Sequence, residues 1–252
     1  RWDGHDEVEI PIPDDMAEEV ARRREQLLEA AAEAEDDVMV KKQRGQSMDD
    51  AELIRGIVID KSRVHEGMPR KVSKAKVALI AAPMEITKTQ VKAKIRISTA
   101  EQVAAFNAQE QDALRQLAEY IIRSGANVLL CQKGIADAVQ FHLAKAGVLA
   151  VEDVPESDMQ NAAKALSANI IQKAENLTAK DLGYADLVEQ DHDIYIIRIN
   201  RCKNPRAITI LLRGSSDYLL DELERAVNDG KRVVMDAIED GTFVVGCGAV
   251  ET

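Results

Sequence analysis

Aromatic residues are scarce in this 252-residue chain, at 3% of the total. Proteins that grip single-stranded nucleic acid stack bases on aromatic platforms, so the scarcity argues against that class. Cysteine is sparser still. Cys131, Cys202 and Cys247 lie far apart, at neither metal-ligand nor redox-motif spacing. Reduced thiols in a cytosol are the expectation. The four histidines, His5, His65, His142 and His192, do not gather with cysteines or carboxylates, so no metal site is expected. No apolar run approaches the roughly 18 residues that a membrane helix needs, and the acidic start has no signal-peptide core. Neither a membrane nor a secretory route is expected. P-loop, Rossmann glycine fingerprint and nucleophile elbow are all missing.

What is present is charge and aliphatic bulk. Hydrophobic residues make up 46% and charged residues 31%, with a net charge of −11. Residues 1–50 hold 16 acidic and 7 basic side chains, so nearly all the excess acidity sits there. The remainder is close to balanced. Neither part has the basic surplus of a nucleic-acid or anionic-membrane binder.

The pattern of elements is α/β. Residues 8–13 read as extended and end at prolines. Asp14 or Asp15 can cap a helix running to about Met39, with Met16, Val20, Leu27, Leu28, Ala31 and Val38 as its modest apolar stripe. Residues 41–50 are polar, contain a glycine and read as a linker. Strands are predicted at 55–60, 76–82 and 91–97. The second is a continuous apolar run, as for a strand covered on both faces, and the third alternates. Ser98 or Thr99 can cap a long helix from Ala100 to Ser124, closed by Gly125. Strand 127–132, helix 135–146 and strand 148–151 form a compact strand–helix–strand unit that favours parallel pairing. A short helix from Ser157 to Leu166 and a strand at 169–172 follow. Strands are then predicted at 186–190, 193–199 and 207–213. Ser215 or Ser216 caps a last long helix carrying the Asp229–Gly230 pair. From the residues alone no active site is visible, and a binding module is not told from an enzyme.

Four ordered stretches carry a resemblance. They are ELIRGIVIDKSRVHEGMPRKVSKAKVALI at 52–80, ANVLLCQKGIADAVQFHLAKAG at 126–147, CKNPRAITILLRGSSDYLLDELERAVNDG at 202–230 and GTFVVGCGAVE at 241–251. Residues 53–252 resemble group II, thermosome-type chaperonins. The resemblance implies an α/β fold with a mixed sheet flanked by helices. It implies an apical, client-binding domain at 68–200 with a helical lid protrusion at about 84–123. It further implies a small α/β intermediate domain from 46–67 and 201–240, and the start of an equatorial domain at 241–252.

The same resemblance implies function. The family binds unfolded protein and folds it in an ATP-driven chamber built from subunits in a double ring, in the cytoplasm. Ile95, Ile97, Val103 and Phe106 near the protrusion tip become client-contact candidates, as does Met159 with its polar neighbours on the 157–166 helix. Asp229 matches the family's water-activating aspartate on the long intermediate-domain helix. Gly246 and Gly248 match a glycine turn that approaches the nucleotide, although Cys247 stands between them where glycine is usual. ATP and Mg²⁺ belong to the full-length family. The phosphate loop and the second catalytic aspartate are not in this sequence, so neither tight nucleotide binding nor hydrolysis is expected of this chain alone. The chain also begins without methionine, as a piece of a longer protein would.

Residues 1–40 resemble instead a short stretch of bacterial elongation factor G that carries no GTP-binding motif. A junction at about 40–42 accounts for the charge step. Two other readings stay open. One is a purely structural piece whose client surface goes unused. The other is an α/β small-molecule enzyme, which a tightly bound metabolite or a deep polar pocket with perturbed carboxylates would support.

Overall fold

The computed structural model describes residues 38–45, 47–85, 100–191, 196–202 and 208–240. It separates into two compact units. One comprises residues 52–211 and the other residues 1–51 with 212–252.

The 52–211 unit is built on a mixed sheet. Its strands are β3 (Gly56–Ile59), β4 (Lys71–Ile80), β5 (Val128–Cys131), β6 (Leu149–Val151), the two-residue β7 (Ile170–Ile171), β8 (Gly183–Gln190) and β9 (Ile197–Cys202). The spatial order is β3-β9-β8-β4-β5-β6, with β7 beside the end of β4. β4 is the pivot. Its first stretch pairs antiparallel with β8, from Lys71↔Glu189 to Val77↔Gly183. Its last four residues pair parallel with β5, from Val77↔Val128 to Ile80↔Cys131. The side chain of Asn127 marks the change of partner: its Oδ1 accepts from Lys76 N at 2.6 Å and its Nδ2 donates to Lys74 O at 3.3 Å. β5 and β6 pair parallel, as the strand–helix–strand reading requires.

Burial follows sequence pattern. The tail of β4 and all of β5 and β6 are buried residue after residue, the signature of strands covered on both faces. Helix α1 (Ala100–Ser124) buries Leu114, Ala118 and Ile121, which share one helical face. Helix α2 (Asp137–Lys145) buries Val139 and Leu143, one turn apart. Both helices join one core cluster with Ile80, Leu129 and Ala150. Helix α3 (Glu156–Leu166) buries Met159, Ala162, Ala165 and Leu166. It starts one residue before the predicted Ser157 cap, from Pro155, whose φ of −55° is already set for a helix. Ser167, in the left-handed region, ends it.

β2 (Glu52–Ile54) lies outside the large sheet and pairs antiparallel with the first stretch of β10 (Ile208–Gly214). Ile54, Val58, Ile196 and Leu211 make a second, small core cluster there. At the start of β3, Gly56 adopts φ +152°.

In the other unit, β1 (Val38–Arg44) neighbours β10, and helix α4 (Asp217–Asp240) follows. Ser216 caps α4, its Oγ accepting from Leu219 N at 3.3 Å. β1 corrects two expectations. Val38 and Met39, predicted as the end of a helix, are strand, and so are residues 41–44 of the supposed linker at 41–50. Val38 and Val40 favour extended backbone, and tertiary contacts fix it. Lys42 Nζ reaches Asp221 and Glu224 of α4 at 2.8 and 2.7 Å, and Lys231 Nζ donates to Val38 O at 3.5 Å. Residues 47–50 form a capped 3₁₀ turn in which Ser47 and Asp50 cap each other. The predicted 91–97 strand, the Ser98/Thr99 cap and the rest of the N-terminal helix lie outside the described residues.

Candidate functional site

Helices α1 and α2 pack side by side over the parallel end of the sheet. Their inward residues are aliphatic, so the two helices are held rigidly and their outer residues are presented to solvent. Between them runs a shallow groove of about 220 Å³. Arg115, Ala118, Glu119 and Ile122 of α1 line one side; His142 and Lys145 of α2, with Ala146 just after it, line the other. Ile122 is 41% exposed. On the same helix as His142, Phe141 is 58% exposed and meets the His142 ring edge-on at a centroid distance of 5.9 Å. Phe106, further along α1, is 46% exposed.

These exposures have a sequence cause. Val139 and Leu143 point into the core, and Phe141, two residues from each, is forced to the opposite side of α2. Ile122 follows the buried Ile121 and is turned about 100° away from it. Neither was singled out in the sequence as a surface residue. The available signal was the mismatch between a large apolar side chain and the phase of the buried pair beside it.

The electrostatics of the groove are uneven. Arg115 Nε and Arg123 both contact Glu119, each at 3.1 Å, so one carboxylate is shared by two guanidiniums. Lys145, in the last turn of α2, is exposed and has no ion pair among the described residues. A cation there suits the negative end of the helix.

The predicted client residues fall into three groups. Phe106 is exposed on α1, as a contact residue must be. Val103 lies on α1, and Ile95 and Ile97 lie outside the described residues. Met159 is a correction. It is 1% exposed, part of the apolar face that α3 turns to the sheet, so it can touch no client without unpacking α3. Glu156, Ser157, Gln160 and Lys164 are the exposed residues of that helix. None of the described candidates lines the groove; Phe106 shares α1 with it but precedes the first lining residue, Arg115, by about two and a half turns.

Asp229 sits mid-way along α4, with its side chain 54% exposed and Arg225 NH1 at 3.3 Å. Arg225 also holds Glu222, whose carboxyl is kept below its usual range by that hydrogen bond and then by the guanidinium's charge. Gly246 and Gly248 lie outside the described residues. Among the described residues no group of His, Cys, Asp and Glu could hold a metal ion, and no helix is long and apolar enough to cross a membrane.

A sequence model of the TCP-1/cpn60 chaperonin family matches residues 16–252. The matched region takes in most of the segment set beside elongation factor G above. The beta subunit of the thermosome of Methanothermobacter thermautotrophicus is 44% identical over 238 residues, covering 94% of this chain and 44% of that protein. A thermosome subunit of Pyrococcus abyssi is 46% identical over 218 residues, 86% of this chain and 40% of that one. The chain thus spans less than half the length of the curated relatives it matches. Among solved structures, the open-state monomer of a group II chaperonin from Methanococcoides burtonii superposes with a TM-score of 0.70 at 34% identity. It covers 95% of this chain and 57% of that one. Fold, residue matches and their extent agree: the chain belongs to the TCP-1/cpn60 chaperonin family.

Proposed function

We propose that this chain acts as a molecular chaperone that captures non-native protein on the outer surface of α1 and α2. The observation that carries the reading is the co-location of Ile122, Phe141 and a shallow, open groove on two rigidly seated helices. Unfolded chains differ in sequence but share exposed apolar side chains. A surface that must accept many of them needs apolar patches with a polar surround, and no deep shaped pocket. Phe106 adds a second exposed apolar residue on α1, and Val103, Ile95 and Ile97 remain client-contact candidates on the family resemblance.

In this reading the apical domain is residues 68–200, the intermediate domain 46–67 with 201–240, and 241–252 open the equatorial domain. In the full-length cytoplasmic protein, ATP and Mg²⁺ drive lid closure in a double ring of subunits. Asp229 then activates water, and Gly246 and Gly248 approach the nucleotide. What supports the Asp229 role is its place on a long, exposed helix able to act as a lever, with its carboxylate held at the surface by Arg225 rather than buried.

The test is capture of a denatured protein. Chemically unfolded citrate synthase is diluted into buffer with excess chain, with and without ATP, and light scattering is followed. Suppression that is independent of ATP supports passive capture by this chain. Absence of suppression at every ratio overturns it and favours a purely structural role.

A further inference from the structure

The groove between α1 and α2 has a charge opposite to that of the chain that carries it. The whole chain bears −11. Two cations, Arg115 and Lys145, and one carboxylate, Glu119, line the groove. Glu119 is shared by Arg115 and by Arg123 further along α1, and Lys145 on the α2 side has no ion pair among the described residues. The side chains of Arg115 and Arg123 are 64% and 74% exposed, so their charges are available to a ligand lying along the helices. Ala118, Ile122 and Ala146 supply the apolar part of the lining, and Phe141 stands next to it.

We infer that this groove prefers client segments in which an apolar anchor is flanked by acidic residues. The inference rests on the reading of the groove as the client site, and adds the class of segment it takes. The physical basis is complementarity at short range. A carboxylate beside a seated apolar side chain lies within a few ångströms of Lys145 or of the arginine pair. Most of the excess acidity belongs to residues 1–50, outside the 52–211 unit that carries the groove, and exposed charges farther off than the Debye length of about 8 Å at physiological ionic strength are largely screened. Rim charges of this kind set partner choice more than raw affinity.

The prediction runs against the simple expectation from net charge, which makes it decisive. Two fluorescent peptides with the same leucine–phenylalanine centre, one flanked by glutamates and one by lysines, are titrated with the intact chain and followed by anisotropy. A chain of net charge −11 attracts the lysine-flanked peptide if only its overall field matters. The groove charge predicts that the glutamate-flanked peptide binds about fivefold tighter at low salt, as expected for two exposed charge pairs. That preference should vanish near 1 M salt, where the Debye length falls to about 3 Å. Lys145→Glu should abolish it, while Arg70→Glu, the same change in net charge on an exposed residue outside the groove, should leave it. Equal binding of the two peptides, or preference for the lysine-flanked one, overturns the inference. If Phe141→Ser still weakens both peptides in that case, the groove stands as a client site without charge selection. If Phe141→Ser weakens neither, the groove reading falls and the inference with it.

Discussion

A Cβ placed on Gly56 would lie 1.9 Å from the carbonyl oxygen of Ile199, its strand partner's neighbour in β9. The backbone is the obstacle, so no side-chain rotation relieves the clash. The residue also holds φ +152°, which side chains rarely allow. Gly56 is where the chain passes from β2 into β3, and Thr209 Oγ1 donates to its carbonyl at 2.7 Å inside the fold. Gly56→Ala is therefore expected to destabilise the 52–211 unit by at least about 2 kcal/mol. Urea unfolding followed by circular dichroism checks it. A midpoint unchanged from the parent would show that the crossing is not so tightly packed.

Met159 and Phe106 offer a matched contrast, since the family resemblance implied a client contact for both. Met159→Ala removes a side chain that is 1% exposed and should cost about 2–5 kcal/mol. Phe106→Ser alters a side chain that is 46% exposed and should change stability by less than about 0.5 kcal/mol. Client capture, measured below the unfolding transition, should follow the opposite order. Loss of capture in Met159→Ala with stability intact would restore it as a contact residue.

Burial pushes the Cys131 thiol up to about 11, with Cys202 raised to a similar value by the same cause. Both should resist iodoacetamide in the folded chain at mildly alkaline pH and react once it is unfolded, as peptide mass mapping can show. The linked effect on stability has a definite sign. A thiol neutral in the fold contributes nothing pH-dependent below its ordinary value of 9.0. Above that the unfolded chain ionises first, so stability falls as pH rises from 9.0 towards about 11. A stability that climbs across this window would contradict the burial of Cys131.

The Lys42 ammonium is held well above its usual range by hydrogen bonds to Asp221 and Glu224. A raised pKa of this kind helps the fold at every pH below the ordinary lysine value of 10.5, and the help is lost as pH rises beyond it. Lys42→Met should speed amide exchange in β1 and in the first turns of α4 at neutral pH, and high salt should partly mimic it because the three side chains face solvent. Unchanged exchange in residues 38–44 would mean that strand pairing alone pins β1.

Much of this fold was legible because period and punctuation agree. The α1 helix is read end to end from an apolar face of Val103, Phe106, Leu114, Leu117, Ile121 and Ile122 and from Gly125 beyond the last turn; the structure gives the same limits but leaves Phe106 and Ile122 exposed. The run VALI in β4 and VLLC in β5 announces strands covered twice over, and the short helix between β5 and β6 announces their parallel pairing. Two things were less legible. β1 is a strand because Lys42 and Val38 find partners about 180 to 190 residues away on α4, which no local window contains. Ile122 and Phe141 are surface residues because of the phase of their neighbours, and composition alone counts them as core. The same reasoning misplaced Met159, where an apolar residue on a named helix was taken for surface before the buried face of that helix was known.

The most direct test of the account is the light-scattering assay with the intact chain and its Phe141→Ser and Ile122→Ser variants, each shown by circular dichroism to be folded. The account predicts that the parent holds denatured citrate synthase in solution without ATP, and that both variants lose most of that capacity at unchanged stability. Full suppression by a folded double variant would contradict the assignment of client capture to the surface of α1 and α2.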